Sequence, residues 1–231
     1  MKFFKIFIAL FLLNLSLDIY FNNAKEFYEY RLITKPLITV ILGIFFFINS
    51  VSLKPLDRWT IISALLFLCA GDTILLEDTP FYSFIGGLCL FLVAILLYSS
   101  YFYKQTTYDI DRLIPFLAIS LLIALSLIYL MYDGLHNLLI PVMIYIATVL
   151  NFMKIGYLRY KNVNNASYRF VFMGTIFFAV AQIIIGLHAF HKAVPYKDIS
   201  IMLFYGFSQL FLILGILSIK CSEKDDLALL N

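Results

Sequence analysis

The residues of this chain with chemistry to offer are polar side chains set inside long apolar runs. Asp72 closes the stretch Leu65-Leu66-Phe67-Leu68-Cys69-Ala70-Gly71. A carboxyl group held in hydrocarbon is costly unless paired or wet, so one retained there is a candidate proton donor, base or ligand. The plainer reading is a helix-end aspartate reaching the interface, since Glu77 and Asp78 follow closely. Lys35, just before Pro36, is a fixed cation for a phosphate, a partner for Asp72, or a lysine that snorkels to the headgroups. Gln182 and Gln209 stand in later runs, with Tyr205 one turn before Gln209. Tyr145 and Tyr98 add hydroxyls, and the ordinary role of such Gln and Tyr groups is hydrogen bonding between helices. Asp18 reads as interfacial, near the end of its run.

Other chemistries find little support. His188 and His191 have a spacing that can bind metal, but Asp72 alone offers a third ligand, so no metal site and no cofactor are expected. Cys69, Cys89 and Cys221 are too few and scattered for a disulfide framework and read as small core residues. The chain has no Gly-x-Ser-x-Gly elbow, no phosphate-binding glycine loop and no Cys-x-x-Cys pair. No basic stripe with interleaved aromatics points to nucleic acid.

The elements that carry these residues follow from composition. Of 231 residues, 63% are hydrophobic and 13% charged, with a mean hydropathy of +0.94. A soluble domain has roughly 45–50% apolar and about 25% charged residues, so most of this chain has lipid as its solvent. The reading is an all-α polytopic transmembrane helical bundle of about eight spans, each needing roughly 20 residues. They fall near 3–21, 31–52, 59–76, 81–104, 112–132, 136–157, 168–191 and 199–219. One transmembrane domain, 1–221, precedes a short, acidic, disordered cytoplasmic tail, 222–231. Turns are expected at Asn22-Asn23, Lys54-Pro55, Glu77 to Pro80, Asp109 to Arg112, Asp133-Gly134, Asn162 to Asn165 and Lys192 to Lys197. The first run, after Lys2 and Lys5, reads as a retained helix rather than a signal peptide, since no small-x-small cleavage site follows it.

Eleven of the 17 Lys and Arg residues fall on the side of the N terminus, Arg159 among them, five on the other, and Lys154 within a span. Both termini are therefore expected in the cytoplasm, and a helical bundle belongs in the inner cell membrane. This topology sets Asp18, Lys35, Asp72, Gln182 and Tyr205 at one depth in the outer half, which predicts a shared cavity there.

The chain resembles the YhhN/lysoplasmalogenase family of multi-pass membrane proteins. The resemblance rests on Thr34-Lys35-Pro36, on Ala64-Leu65-Leu66-Phe67 leading to Gly71-Asp72, and on Gly87-Leu88 with Phe91 and Tyr98. It continues in Pro141-Val142 with Tyr145 and Met153, Gly174 with Phe177, and Tyr205, Gln209 and Gly215. It implies an eight-helix arrangement and hydrolysis of the vinyl ether bond of a single-chain ether phospholipid, giving a fatty aldehyde and a glycerophospho-base. A carboxylic acid in a low-dielectric site can hold the proton that such cleavage begins with. Asp72 would be that acid, Lys35 the headgroup anchor, and Gln182, Tyr205 and Gln209 would position water and glycerol hydroxyls. Two positions depart from the family pattern. Gln182 stands where a second Asp is usual, and Ile95 where a His is usual. A glutamine cannot act as a base, so the alternative is a non-catalytic lipid-binding or transport protein on the same fold.

Overall fold

An apolar segment in hydrocarbon must satisfy its own backbone polar groups, and the helix does so within one segment. The computed structural model describes residues 2–51, 53–76 and 80–228, and among the described residues there is no strand. Eight α-helices follow in order: α1 (Lys2–Asn23), α2 (Arg31–Asn49), α3 (Pro55–Ile74), α4 (Pro80–Tyr103), α5 (Ile110–Leu135), α6 (Leu139–Leu158), α7 (Asn165–Phe190) and α8 (Lys197–Ala228). Short 3-10 turns at Lys25–Tyr30 and His136–Leu138 precede α2 and α6.

Local chemistry explains several ends. Pro55 opens α3, where a missing N–H is no loss because first-turn amides are unpaired in any case. The Asp109 carboxylate accepts from the Asp111 N–H at 3.1 Å and caps α5. One expected boundary needs correction. Asp133-Gly134 does not turn the chain: α5 runs on to Leu135, and the reversal comes at His136, which adopts a positive φ of 41°. Gly134 serves close approach, because a Cβ there would collide with the carbonyl oxygen of Phe190 on α7. Helix α8 has no internal helix breaker and is described as far as Ala228. The turn expected from Glu77 to Thr79 lies outside the described residues.

Among the described residues, six segments are long and apolar enough to cross a membrane: Phe4–Asn23, Glu26–Asn49, Tyr82–Tyr103, Ile110–Leu158, Asn165–Phe190 and Lys197–Ile219. The fourth holds two helices, α5 and α6. Helix α3 falls outside the set, carrying Asp57, Arg58 and Asp72 within its 20 residues. An all-α, multi-pass membrane protein is the result, while eight crossings is a finer count than length and apolarity carry.

The chain divides into two compact units, one ending at Tyr98 and one beginning at Ser99. In the first, α2 packs against both α1 and α3, and Phe7 stacks on Phe45 with ring centroids 3.7 Å apart. In the second, α7 lies along α8, with glycines at the contact. A Cβ on Gly174 would come 3.1 Å from the Ser208 carbonyl, and one on Gly215 would come 3.0 Å from the Val171 nitrogen. Membrane helices lack a hydrophobic drive toward one another, so close backbone approach through small residues is what holds them. Gly215→Ala is therefore expected to destabilise the protein by about 1–3 kcal/mol, the range for overpacking a tight contact. Thermal unfolding of the detergent-solubilised variant beside the wild type checks this.

Candidate functional site

The N-terminal unit holds four ionisable groups away from solvent. Arg31 and Lys35 are one turn apart on α2 and so share a face. Asp18 comes to them from α1 and Asp72 from α3. The Lys35 Nζ lies 3.9 Å from the Asp72 Oδ1, with the side chains 10% and 2% exposed. The Arg31 Nη2 donates to the Asp18 Oδ2 at 3.5 Å, with 7% and 0% exposed. The Thr34 hydroxyl donates to the other Asp18 oxygen at 2.7 Å. The Asn14 amide donates to the Thr34 carbonyl at 2.9 Å. Pro36 supplies no amide to the Leu32 carbonyl, and its own carbonyl accepts from Thr39 Oγ1 at 2.8 Å, with the Cys69 sulfur 3.8 Å away.

These positions revise the sequence reading. Asp72 is buried and does not look out at the interface, and Lys35 is buried beside it and does not snorkel. Asp18 is not interfacial, being wholly enclosed by Arg31 and Thr34. Of the cysteines, Cys69 is half-buried, whereas Cys89 is exposed and is no core residue. The side chain of Cys221 lies outside the described residues.

The C-terminal unit has its own polar interior. The Tyr145 hydroxyl on α6 donates to the Gln182 Oε1 on α7 at 2.9 Å. The Gln182 Nε2 is buried with no hydrogen-bond partner among the described residues. Tyr205 and Gln209 are both buried on one face of α8. The five residues expected at one depth thus divide between the units, Asp18, Lys35 and Asp72 in the first and Gln182 and Tyr205 in the second. Ile95, at the family's usual histidine position, is buried on α4. His188 accepts from the Val194 N–H at 3.3 Å and closes the turn after α7. Among the described residues no three metal-ligating side chains come together.

Arg159 is the residue the sequence most concealed. It reads as a loop cation, yet it is fully buried. Its Nε and Nη2 donate to the Gln105 Oε1 at 2.9 and 2.7 Å, and Nη2 also donates to the Ser167 hydroxyl at 2.8 Å. The guanidinium lies 4.8 Å from the centre of the Phe102 ring. Burial pushes its pKa down to about 10, with the Tyr101 hydroxyl partly opposing, and it stays charged at neutral pH. All its donors serve helix ends within the unit, which makes it a structural clamp. Arg31 had a readable signal in its four-residue spacing from Lys35; Arg159 had none, because its partners Gln105 and Ser167 are remote in sequence.

The sequence profile of the YhhN family matches residues 30–216, from the residue before α2 into α8. Asn14 and Asp18, on α1, precede that stretch. No curated protein and no solved structure matches the chain.

Breaking a buried ion pair by removing one partner typically costs about 3–5 kcal/mol, whereas replacing both partners by apolar groups costs far less. Asp18→Leu alone is therefore expected to lower the unfolding temperature strongly, and Asp18→Leu with Arg31→Met to recover most of the loss. Thermal unfolding of the two variants in one detergent gives the comparison.

Proposed function

The chain belongs to the YhhN family, and from that premise we propose that it is a lysoplasmalogenase-like membrane hydrolase cleaving the vinyl ether bond of a single-chain ether phospholipid. The observation that supports this reading is the buried Lys35–Asp72 pair, a cation and a carboxyl group from two helices held in dry surroundings. The lipid phosphate draws the Lys35 ammonium to itself, and Asp72 takes up the proton that the reaction needs. Asp72 then delivers this proton to the outer carbon of the vinyl ether, and the double-bond electrons form the new C–H bond. The oxocarbenium ion that results is captured by water, and the proton released returns to Asp72. The hemiacetal then breaks into a fatty aldehyde and the glycerol hydroxyl. The chemistry consumes water and needs no cofactor.

In this reading the protein is one transmembrane domain, residues 1–221, with eight crossings and both termini in the cytoplasm. It resides in the inner cell membrane. Gln182 cannot accept a proton as a carboxylate would, and the buried Ile95 offers no imidazole. Those two positions favour the second reading, a lipid-binding or transport protein that leaves its ligand intact.

Incubation of the purified protein with a mixed lysolipid pool, followed by mass spectrometry, separates the two. Aldehyde and glycerophospho-base are expected, and recovery of unaltered lipid alone would select the second reading. Asp72→Asn is expected to slow hydrolysis at least about 100-fold, the lower end for a general acid. Asp72→Asn with Lys35→Gln, which leaves neither charge unpaired, should be equally inactive while keeping its fold. Gln182→Asp restores the carboxylate usual in the family and is expected to raise the rate of aldehyde release.

A further inference from the structure

Helix α2 carries a stripe of residues at four-residue spacing, Arg31, Lys35, Thr39, Gly43 and Phe47, which winds about 40° around the helix at each step. The stripe changes character along its length. Arg31, Lys35 and Thr39 are buried, whereas Phe47 is exposed. From Thr39 to Phe47 it forms one wall of an apolar groove of about 310 Å³, whose other wall is Ile62, Leu65 and Cys69 on α3. Asp72 lies one turn beyond Cys69 on that helix. The groove therefore begins one turn below the buried ion pair on both of its walls. From Lys35 to Phe47 the stripe runs about 18 Å at the α-helical rise. Gly43 provides the depth, because a Cβ there would meet nothing nearer than Leu65 Cδ1 at 4.0 Å.

Two features say what occupies such a groove. Its mouth opens between Ile44 and Leu66, both well exposed on apolar helices, so an aliphatic chain reaches it directly from the bilayer. Two turns before the groove on α2, the Arg31 Nε is buried and has no hydrogen-bond partner among the described residues. A buried guanidinium N–H without an acceptor is costly, and an anionic oxygen is its best complement.

We infer that the α2 stripe is a binding track for one single-chain phospholipid, with its phosphate on Arg31 and Lys35 and its acyl or alkenyl chain in the groove between α2 and α3. The track rests on the reading of Lys35 as headgroup anchor and adds Arg31 as the second phosphate ligand. Arg31 thereby has two duties, one through Nη2 to Asp18 and one through Nε to the lipid. The assignment does not depend on whether the bound lipid is cleaved.

The test is photolabelling of the full-length protein in detergent with a lysophosphatidylcholine carrying a diazirine in mid-chain. Saturable labelling of the peptides spanning 39–47 and 62–69 is expected. Unlabelled lysophosphatidylcholine should compete, while monoacylglycerol, which lacks the phosphate, and glycerophosphocholine, which lacks the chain, should compete poorly. Gly43→Phe fills the groove and should abolish the saturable labelling. Arg31→Lys keeps a cation beside Asp18 but removes Nε, and should weaken binding about tenfold, the scale of one charge-assisted hydrogen bond. Labelling that is unsaturable and even over all lipid-exposed helices, or unchanged in both variants, would overturn the track. Aldehyde release from a lysoplasmenylcholine, which unlike the photoprobe carries the vinyl ether, is measured on the same protein preparation and keeps the questions apart. Saturable labelling without aldehyde refutes the hydrolase and supports the track, and aldehyde release with even, unsaturable labelling does the reverse.

Discussion

Four charges without bulk water must find one another, and the N-terminal unit is arranged around that requirement. Arg31 and Lys35 leave one face of α2 a single turn apart, and neither can stay charged there alone. Helix α1 answers the first with Asp18, and α3 answers the second with Asp72. Each pairing ties a helix to α2, since a buried carboxylate left without its cation is costly. Thr34 and Asn14 extend the arrangement, one holding the Asp18 carboxylate and the other holding the carbonyl of Thr34.

The C-terminal unit meets the same constraint with neutral partners. Arg159 is enclosed by Gln105, Ser167 and the Phe102 ring, none of which carries a charge. Ser167 in turn donates to the Gly215 carbonyl at 2.7 Å, so the clamp reaches from the end of α6 through α7 to α8. The glycines that bring α7 against α8 make this reach possible. Residue for residue, the second unit is organised by close backbone approach and hydrogen bonds, the first by ion pairs.

This difference bears on function. The first unit sets a carboxyl group beside an ammonium away from bulk water. The second unit offers amides and hydroxyls, which orient a ligand or water but do not hold a transferable charge near neutral pH. Asp18 lies before the stretch matched to the YhhN family, so one anchor of the charged cluster is contributed by a helix outside that match.

The sequence by itself determined the solvent, the fold class and the identity of the costly residues. A chain this apolar can shield its backbone in lipid only as helices, and Asp72, Lys35, Gln182, Tyr205 and Gln209 are legible because polar groups stand out in apolar runs. The turn residues were less reliable. Asp133-Gly134 looks like a reversal, yet Gly134 is needed for contact with α7, a partner more than fifty residues away. Only the tertiary structure decided which charges meet. Asp18 looked interfacial and Arg159 looked like a loop anchor, because a residue's distance from the end of an apolar run says nothing of what a neighbouring helix brings to it. Pairing is a property of two helices in register, and no single run of sequence contains it.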